Sequence, residues 1–358
     1  MAENKGVLVL SDGTVYYGKG FGAPGTRVGE LVFSTAMTGY QEALTDASYV
    51  GQILLMTYPL VGNYGINEDA FESRRIWAEG FVVREACTHP VHAKSKKSLD
   101  EFLQEFGVPG VSGLDTRAIV RKIREAGVMP ACISVDEREF DVRGLLEKAR
   151  ALDYSKINFV EAASCRETQV FERGPKRVVL LDCGMKMNIV RELNKRGVTV
   201  VSVHYKTKPE KIMELEPDGL FVSNGPGDPA LLGDVARTVR SLTGKLPIMG
   251  ICLGHQIMGI AAGGRTFKLK FGHRSANQPV KDVRTGRVYV TTQNHGYAVD
   301  EKSLKESAPD VFLLNCNDGT VEGMRNDELR TLSVQFHPEA HPGPRDTSHF
   351  FDEFVAWL

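Results

Sequence analysis

The chain has 358 residues, which is enough for two domains of ordinary size. Its hydrophobic fraction of 42% and charged fraction of 25% are typical of a globular protein rather than a disordered or fibrous one. The 44 Lys and Arg residues nearly balance the 45 Asp and Glu residues, so no overall charge favours a nucleic-acid backbone or an anionic membrane. We therefore expect neither nucleic acid nor membrane as a partner.

Two further features of the sequence indicate the compartment. The N-terminal sequence Met-Ala-Glu-Asn-Lys-Gly lacks the basic and apolar regions of a secretion signal, and no later stretch reaches the ~20 apolar residues of a membrane span. The six cysteines are widely separated, without a C-x-x-C pair or zinc-finger spacing. We expect a cytoplasmic protein whose cysteines are mostly reduced core residues.

Residues 1–157 are predicted to form a mixed α/β domain rich in strands. The runs 7–10 and 15–17 flank an Asp12-Gly13 turn, a pattern typical of a β-hairpin. Further strands are predicted at 31–33, 52–57 and 80–83, and helices at 98–106, 116–126 and 141–152. The polar segment 158–176 has little periodicity and is predicted to be a linker.

From residue 177 to 358, strands and helices alternate. Strands are predicted at 177–182, 198–203, 219–223 and 246–251, with helices at 186–196 and 231–243 between them. This alternation predicts an α/β domain with a mostly parallel sheet and helices on both faces. Closely spaced strands at 287–292, 311–316, 320–324 and 331–336 predict an antiparallel extension, and an amphipathic helix near 347–358 ends the chain.

Cys252 lies between an apolar strand and a helix, in the frame Gly250-x-Cys252-x-Gly254. This frame is typical of a nucleophile elbow, in which the glycines permit a sharp turn at the carboxyl edge of a sheet. The N-terminus of the following helix would favour the thiolate. A single cysteine is more commonly a buried core residue, and Cys183, which ends a strand without such a frame, is interpreted as structural. The frame predicts that Cys252 is a nucleophile.

His337 and Glu339 are the predicted base and its orienting acid. Pro338 favours an extended backbone at His337, and positions two apart in an extended segment point to the same side. The Glu339 carboxylate can then bind one imidazole nitrogen and leave the other for a thiol. A lone histidine is more commonly a core or surface residue, so this prediction depends on Cys252.

We predict no metal and no cofactor in this chain. His337 and His341 have the spacing of metal ligands on a helix, but Pro338 and Pro342 disfavour a helix there. Neither a Walker A sequence nor a dinucleotide fingerprint occurs, so any ATP chemistry is expected to belong to another chain.

Two segments that follow strands could complete the site. The N–H of Leu253 is a predicted oxyanion donor, and a second donor could come from the glycine-rich loop 223–229. The sequence Gln-Asn-His-Gly-Tyr at 293–297 offers polar groups suited to an amino acid, although a hairpin loop is an equally good interpretation.

These motifs resemble those of the class I glutamine amidotransferases from about residue 177 onward. The matching stretches are Gly-Ile-Cys252-Leu-Gly-His-Gln256, Ser-Asn-Gly-Pro-Gly-Asp-Pro, Gln-Asn-His-Gly and His337-Pro-Glu339. The run Met-Thr-Gly-Tyr-Gln-Glu-Ala-Leu-Thr-Asp-Ala-Ser-Tyr at 37–49 resembles the N-terminal domain of carbamoyl-phosphate synthetase small subunits, which other class I amidotransferases lack. The sequence as a whole is similar to that small-subunit family.

The resemblance implies a Cys252, His337 and Glu339 triad and a glutamine site. The implied glutamine-binding residues are Ser48, Gly225, Gly227, Leu253, Gln256, Asn294, Gly296 and Tyr297. Since Ser48 belongs to the N-terminal domain, the resemblance places the site near the domain interface. The sequence departs from the family pattern at Tyr297, where Phe is common, and at Arg274-Ser-Ala276, where His-Gly-Gly is common.

The resemblance also implies an activity and a partner. Cys252 would attack the glutamine amide to form a γ-glutamyl thioester, releasing ammonia and then glutamate. Ammonia would pass to a large subunit that uses ATP and bicarbonate to make carbamoyl phosphate for arginine and pyrimidine synthesis. The expected assembly is a heterodimer, which leaves open a higher oligomer of heterodimers.

Three alternatives stay open at this point. A class I amidotransferase could serve another synthetase, such as those for GMP or anthranilate, although the N-terminal domain counts against it. A cysteine hydrolase could act alone on γ-glutamyl compounds. A non-catalytic docking subunit is a third possibility, but such a subunit has no need of all three triad residues.

Overall fold

The structure is a computed structural model that describes residues 4–305 and 309–358. The described chain divides into two compact units, one ending at Ile157 and the other beginning at Asn158. The first three residues of the N-terminal sequence considered above lie outside the described residues. Within the described ranges, no helix is long and apolar enough to cross a membrane.

The first unit contains a closed barrel of seven strands in the order β1-β2-β8-β6-β4-β3-β9. The strands of this unit are β1 (Lys5–Leu10), β2 (Val15–Gly22), β3 (Gly25–Ser34), β4 (Gln52–Met56), β5 (Leu60–Val61), β6 (Gly80–Val82), β7 (Glu85–Ala86), β8 (Pro109–Ser112) and β9 (Met129–Asp136). Its helices are α1 (Tyr40–Thr45), α2 (Leu99–Glu105), α3 (Thr116–Ala126) and α4 (Val142–Ala151). The β5–β7 pair is separate from the barrel.

Local sequence signals explain several of these elements. The Asp12 carboxylate accepts the Thr14 N–H (2.9 Å) in the turn between β1 and β2, as the predicted hairpin requires. Ser98 and Glu101 form a capping box at the start of α2. The predicted helices at 98–106, 116–126 and 141–152 are confirmed as α2, α3 and α4. Strand β9 was not predicted, because it is buried along most of its length and shows no polar alternation.

The second unit contains one ten-stranded sheet in the order β10-β12-β11-β13-β14-β19-β18-β17-β15-β16. Its strands are β10 (Gln169–Phe171), β11 (Lys176–Asp182), β12 (Val198–His204), β13 (Gly219–Val222), β14 (Ile248–Ile251), β15 (Arg265–Asp282), β16 (Val288–Asp300), β17 (Asp310–Asn315), β18 (Val321–Asn326) and β19 (Thr331–Val334). Its helices are α5 (Val160–Ala163), α6 (Met187–Lys195), α7 (Pro209–Met213), α8 (Gly233–Leu242), α9 (Leu253–Ala261) and α10 (His349–Val355).

Helices cover both faces of the parallel part of this sheet, as predicted. The strands β12, β11, β13, β14 and β19 are mutually parallel neighbours. Val178 and Leu180 of β11 pack with α6 and α10, whereas Val179 and Leu181 pack with α7, α8 and α9. A strand buried on both faces has no polar side, which explains the continuous apolar run in β11.

The antiparallel extension is larger than the sequence suggested. It contains β18, β17, β15 and β16, and β15 with 18 residues was not predicted. Register shifts between Lys268 and His273 and between Ser275 and Gln278 interrupt its pairing with β16, which obscures the period of two in the sequence. The segment 293–297, for which a hairpin loop was one interpretation, lies inside β16 because β15 supplies its backbone partners.

The segment 158–176, predicted to be a linker, contains α5 and β10 of the second unit. Strand β10 pairs antiparallel with β12 at the edge of the sheet. The Thr199 hydroxyl accepts N–H groups from Arg173 and Gly174 and thereby holds the end of the segment. These contacts supply an order that a polar, aperiodic sequence does not reveal.

Candidate active site

Cys252 joins the end of β14 to the start of α9 with a strained backbone. Its φ of 54° and ψ of −105° lie in a region that residues with a Cβ atom rarely occupy. The Cys252 N–H donates to the Val334 carbonyl (2.9 Å), so β19 holds the turn in place. This geometry is what a nucleophile elbow requires, and it places the thiol at the carboxyl ends of the parallel strands.

The glycines on either side of Cys252 permit this close packing. A Cβ atom on Gly254 would lie 2.1 Å from the Val222 carbonyl oxygen of β13. A Cβ atom on Gly250 would lie 2.7 Å from the Met258 sulfur and 2.8 Å from the Gly254 backbone. Only glycine at these positions therefore lets α9 approach the sheet at this distance.

Gly254→Ala is expected to destabilise the protein by about 1–3 kcal/mol, because its methyl group would overlap the backbone of β13. The displaced helix should also reduce the activity proposed below. Thermal or denaturant unfolding measures the stability change. Gly233→Ala is the matched control, since its nearest neighbour would be an Arg237 nitrogen at 3.7 Å. Equal stability of the two variants would contradict the packing argument.

His337 and Glu339 follow β19 and face each other. The Nδ1 of His337 lies 2.6 Å from a Glu339 carboxylate oxygen, and both side chains are buried. The His337 N–H donates to the Thr292 carbonyl of β16 (2.9 Å), which fixes the backbone. Glu339 occupies Nδ1, and the Cys252 side chain lies close enough to the ring to interact with it and raise its pKa. The arrangement leaves Nε2 available to a thiol proton.

The charges of this group stabilise one another. Burial alone would lower the pKa of His337, but the Glu339 carboxylate and Cys252 raise it to about 10. Burial alone would raise the pKa of Glu339, but Lys186 and His337 lower it to about 2. Both groups therefore favour their charged forms near neutral pH, so His337 readily holds a proton that a neighbouring thiol gives up.

Lys186 and Asn188 are two site residues that the sequence reasoning missed. The Lys186 ammonium lies 3.2 Å from the Glu339 carboxylate and donates to the Ala340 carbonyl (2.6 Å). The Asn188 amide donates to the Glu339 carbonyl. The available signal was a lysine between two methionines, shortly after the end of β11. The two residues hold the turn that presents Glu339.

The charged pair makes a contribution to stability that depends on pH. Because its pKa is raised above 6.5, His337 contributes fully below that pH and loses the contribution as pH rises towards about 10. Because its pKa is lowered below 4.5, Glu339 contributes fully above that pH and loses the contribution as pH falls towards about 2. Relative to a His337→Gln/Glu339→Gln variant, the wild type should thus gain most stability between pH 4.5 and 6.5.

Thermal melting of the wild type and of the double variant, measured from about pH 3 to about pH 10, checks this expectation, because the two groups titrate within roughly this range. The difference in melting temperature should shrink towards both ends of the range. A difference that is constant with pH would contradict the charge assignment, whatever its size.

Most of the predicted glutamine-binding residues in the second unit lie around Cys252. Gly225 packs against the Leu253 side chain, and Leu253 begins α9, where N–H groups have no partner within the helix. The Cys252 thiol donates to the Asn294 carbonyl (3.6 Å). The Gln256 amide donates to the Tyr297 carbonyl (2.7 Å). These contacts bring both glycine-containing segments to the elbow.

The remaining predicted residues are Gly227, Gly296 and Ser48. Gly227 has a φ of 89°, which favours glycine in the loop that also contains Gly225. Gly296 lies between Asn294 and Tyr297 in β16. Ser48 belongs to the first unit, where its N–H donates to the Asp46 carboxylate (2.9 Å). Its contribution to the glutamine site stays a prediction.

The two departures from the family pattern are accommodated by backbone contacts. At Tyr297 the contact with Gln256 uses the main-chain carbonyl, which a change from Phe to Tyr leaves intact. Arg274 pairs with Asn294 across β15 and β16, and its guanidinium donates to the Phe271 carbonyl (2.9 Å). The Arg274–Ala276 stretch therefore lies within β15, at the start of a register shift, rather than in a free loop.

Two groups of histidines could be considered as metal ligands. His337 and His341 lie outside any helix, as the neighbouring prolines predicted. His341 has a φ of 52°, in the left-handed region rather than the extended one. His273, His295 and Glu322 are a separate buried group whose potential ligand atoms lie within 4.8 Å of one another. That group was not identified from the sequence, because its members come from β15, β16 and β18.

Both halves of the chain match families of known proteins. Residues 8–133 match the family described as carbamoyl-phosphate synthase small chain, CPSase domain, and residues 179–357 match glutamine amidotransferase class-I. Curated carbamoyl phosphate synthase small chains from Methanopyrus kandleri and Methanocaldococcus jannaschii are each 51% identical, over 98% of this chain and 98% of the relative. The corresponding protein of Archaeoglobus fulgidus is 51% identical over 99% of both chains.

The similarity extends over both units and over nearly the full length of the relatives, which a shared amidotransferase domain alone would not produce. The chain belongs to the carbamoyl-phosphate synthase small chain family.

Proposed function

We propose that this protein hydrolyses glutamine and supplies the ammonia to a carbamoyl-phosphate synthase large subunit. The observation that carries the proposal is the geometry at Cys252. A strained cysteine at a helix N-terminus has beside it a histidine whose Nδ1 is held by Glu339 at 2.6 Å. This arrangement suits acyl transfer at a thiol, and the class-I amidotransferase match makes the glutamine amide the expected acyl donor.

In the proposed reaction, His337 Nε2 takes the proton of the Cys252 thiol as the sulfur attacks the glutamine amide carbon. The C–N bond then breaks, and His337 returns the proton to the departing ammonia. The product on the enzyme is a γ-glutamyl thioester. A water molecule, deprotonated by His337, attacks the thioester, and glutamate leaves as the thiol is restored.

Glu339 keeps the proton of His337 on Nδ1, so Nε2 faces the sulfur throughout the cycle. Lys186 supports this role, because it offsets the negative charge of Glu339 and holds the next carbonyl in the turn. The oxyanion of each tetrahedral intermediate would be stabilised by the N–H of Leu253 and by a donor from the loop that contains Gly225 and Gly227.

The glutamine would be held by the residues that the family resemblance implied. In the second unit these residues adjoin the elbow through the contacts of Gly225, Gln256 and Asn294. We propose that Ser48 of the first unit completes this site.

The partner in this proposal is a large subunit that uses ATP and bicarbonate, so this chain needs no cofactor of its own. The match of residues 8–133 to the small-chain CPSase domain supports such a partner. A heterodimer in the cytoplasm, which feeds arginine and pyrimidine synthesis, is part of the same proposal.

The proposal is tested by measuring glutamate release from glutamine with the chain alone and after addition of a carbamoyl-phosphate synthase large subunit from a close relative. We expect glutamine hydrolysis that rises in the complex, together with carbamoyl phosphate formed from glutamine, ATP and bicarbonate. High hydrolysis that is unaffected by the large subunit would instead favour a hydrolase that acts alone. No hydrolysis in either state would favour a docking subunit.

A further inference from the structure

His273 lies in a buried polar cluster next to the proposed active site. The buried members are His273 of β15, His295 of β16 and Glu322 of β18, and Asp318, an exposed residue of the turn between β17 and β18, contacts His273 from outside. His273 Nε2 lies 2.8 Å from the Asp318 carboxylate, and its Nδ1 lies 3.8 Å from the Glu322 carboxylate. The residue is 8% exposed and Glu322 is fully buried. Both nitrogens of the ring therefore face acidic groups.

The surroundings favour the imidazolium form of His273. Burial alone would lower its pKa, but Asp318 and Glu322 raise it to about 9. Burial raises the pKa of Glu322, and His273 and Asn315 act against that rise. Asn315 donates to the same carboxylate of Glu322 at 2.9 Å. Removal of His273 would leave this buried carboxyl group without its positive neighbour.

His295 connects this charge to the proposed glutamine site. Its ring packs perpendicular to that of His273, with centroids 4.9 Å apart. Its Nδ1 lies 2.8 Å from the Tyr297 carbonyl, the same oxygen that accepts the Gln256 amide, and its Nε2 lies 3.0 Å from the Gln293 side-chain oxygen. Burial and the charge of His273 both lower the pKa of His295. A neutral His295 has one N–H, and the Tyr297 and Gln293 oxygens are both acceptors for it.

A metal site is a second interpretation of these residues, and the contacts disfavour it. Tetrahedral zinc with bonds of about 2.05 Å would place its ligand atoms about 3.3 Å apart. The potential ligand atoms of His273, His295 and Glu322 are separated by up to 4.8 Å. Both ring nitrogens of His295 and the Nε2 of His273 already have hydrogen-bond partners.

We propose that His273 is a positioning residue for glutamine binding. Its imidazolium, held between Asp318 and Glu322, packs against His295 and so fixes the ring whose Nδ1 lies at the Tyr297 carbonyl to which Gln256 is bound. The nearby Arg274 adds a second positive charge that opposes protonation of His295. This inference rests on the proposed function, since its consequence is measured as glutamine affinity.

The test compares His273→Gln, Glu322→Gln and the double variant, each in complex with the large subunit. We expect His273→Gln to raise the KM for glutamine at least about 10-fold, with less than about a 3-fold change in kcat. The double variant should keep the raised KM, because the imidazolium that packs against His295 is still missing. A role limited to neutralising Glu322 predicts instead that the double variant returns to within about 3-fold of the wild-type KM.

Two controls separate the possible outcomes. Carbamoyl phosphate synthesis from added ammonia should be equal in all variants, which shows that the complex is intact. Nitrogen-15 NMR of the free chain at about pH 7 should show His273 doubly protonated and His295 singly protonated. This measurement needs no glutamine turnover.

Several results would overturn the inference. These are an unchanged KM in His273→Gln, a neutral His273 in the NMR spectrum, or a stoichiometric transition metal that the His273→Gln variant loses. If the wild type fails to hydrolyse glutamine at all, the proposed function fails, and the NMR result still decides the charge state of the cluster.

Discussion

Replacement of Cys252 by serine is expected to lower glutamine hydrolysis at least about 1000-fold, because removing a nucleophile from a triad removes the whole covalent route. Serine differs from cysteine by one atom, so the buried elbow should keep its fold. Its hydroxyl is far less acidic than a thiol and gains much less from the neighbouring His337. Steady-state release of glutamate measures the effect, and Cys316→Ser, at an exposed cysteine, is the matched control.

The same variant separates the two halves of the proposed activity. In complex with the large subunit, Cys252→Ser should lose carbamoyl phosphate synthesis from glutamine and keep synthesis from added ammonia. Glutamine hydrolysis that persists in Cys252→Ser would contradict the mechanism. Loss of the ammonia-dependent reaction would instead show that the substitution disturbs the assembly.

The short-range features of the site could be predicted from the sequence. The elbow needs glycines next to Cys252, and the structure shows the reason in the approach of Gly254 to the Val222 carbonyl. Only Pro338 separates His337 from Glu339, and the two side chains meet at 2.6 Å. The backbone that brings them together is a turn, in which the Ala340 N–H donates to the His337 carbonyl, rather than the extended segment that was predicted. Both features depend on neighbours within a few positions of the chain.

Features that depend on strand order could not be predicted in the same way. Lys186 follows β11 and Glu339 follows β19, and β13 and β14 lie between these two strands in the sheet. The contact between Lys186 and Glu339 therefore depends on the assembled order of the strands. The cluster around His273 likewise requires β15, β16 and β18 to be assembled. A sequence pattern predicts which residues form a strand more readily than which strand lies next to it.

The fold itself was predicted better in its parallel part than in its extension. Strands that alternate with helices are well marked, because each helix has an apolar face and each buried strand is uniformly apolar. The long strand β15 has register shifts, and only part of β16 was expected as a strand. The polar residues of 293–297 therefore suggested a binding segment or a hairpin loop. Backbone pairing with β15 instead makes the segment part of β16.

His337→Asn is expected to reduce glutamine hydrolysis by a factor of at least about 1000, since no other group can take the thiol proton at the elbow. The variant should still fold, because Lys186 lies 3.2 Å from Glu339 and continues to balance its buried charge. Loss of the imidazole removes the raised pKa of about 10 that favours proton transfer from sulfur. Glutamate release and thermal melting, measured together, distinguish lost chemistry from lost structure.

His349→Asn is the control for this substitution, because His349 lies on α10 and is partly exposed. It should keep wild-type hydrolysis. Glu339→Gln should lie between the two, at about 10- to 100-fold reduced activity, since the histidine stays in place but its tautomer and charge are less well held. Hydrolysis by His337→Asn at a rate near that of His349→Asn would show that Cys252 acts without this base, and the triad assignment would then have to be abandoned.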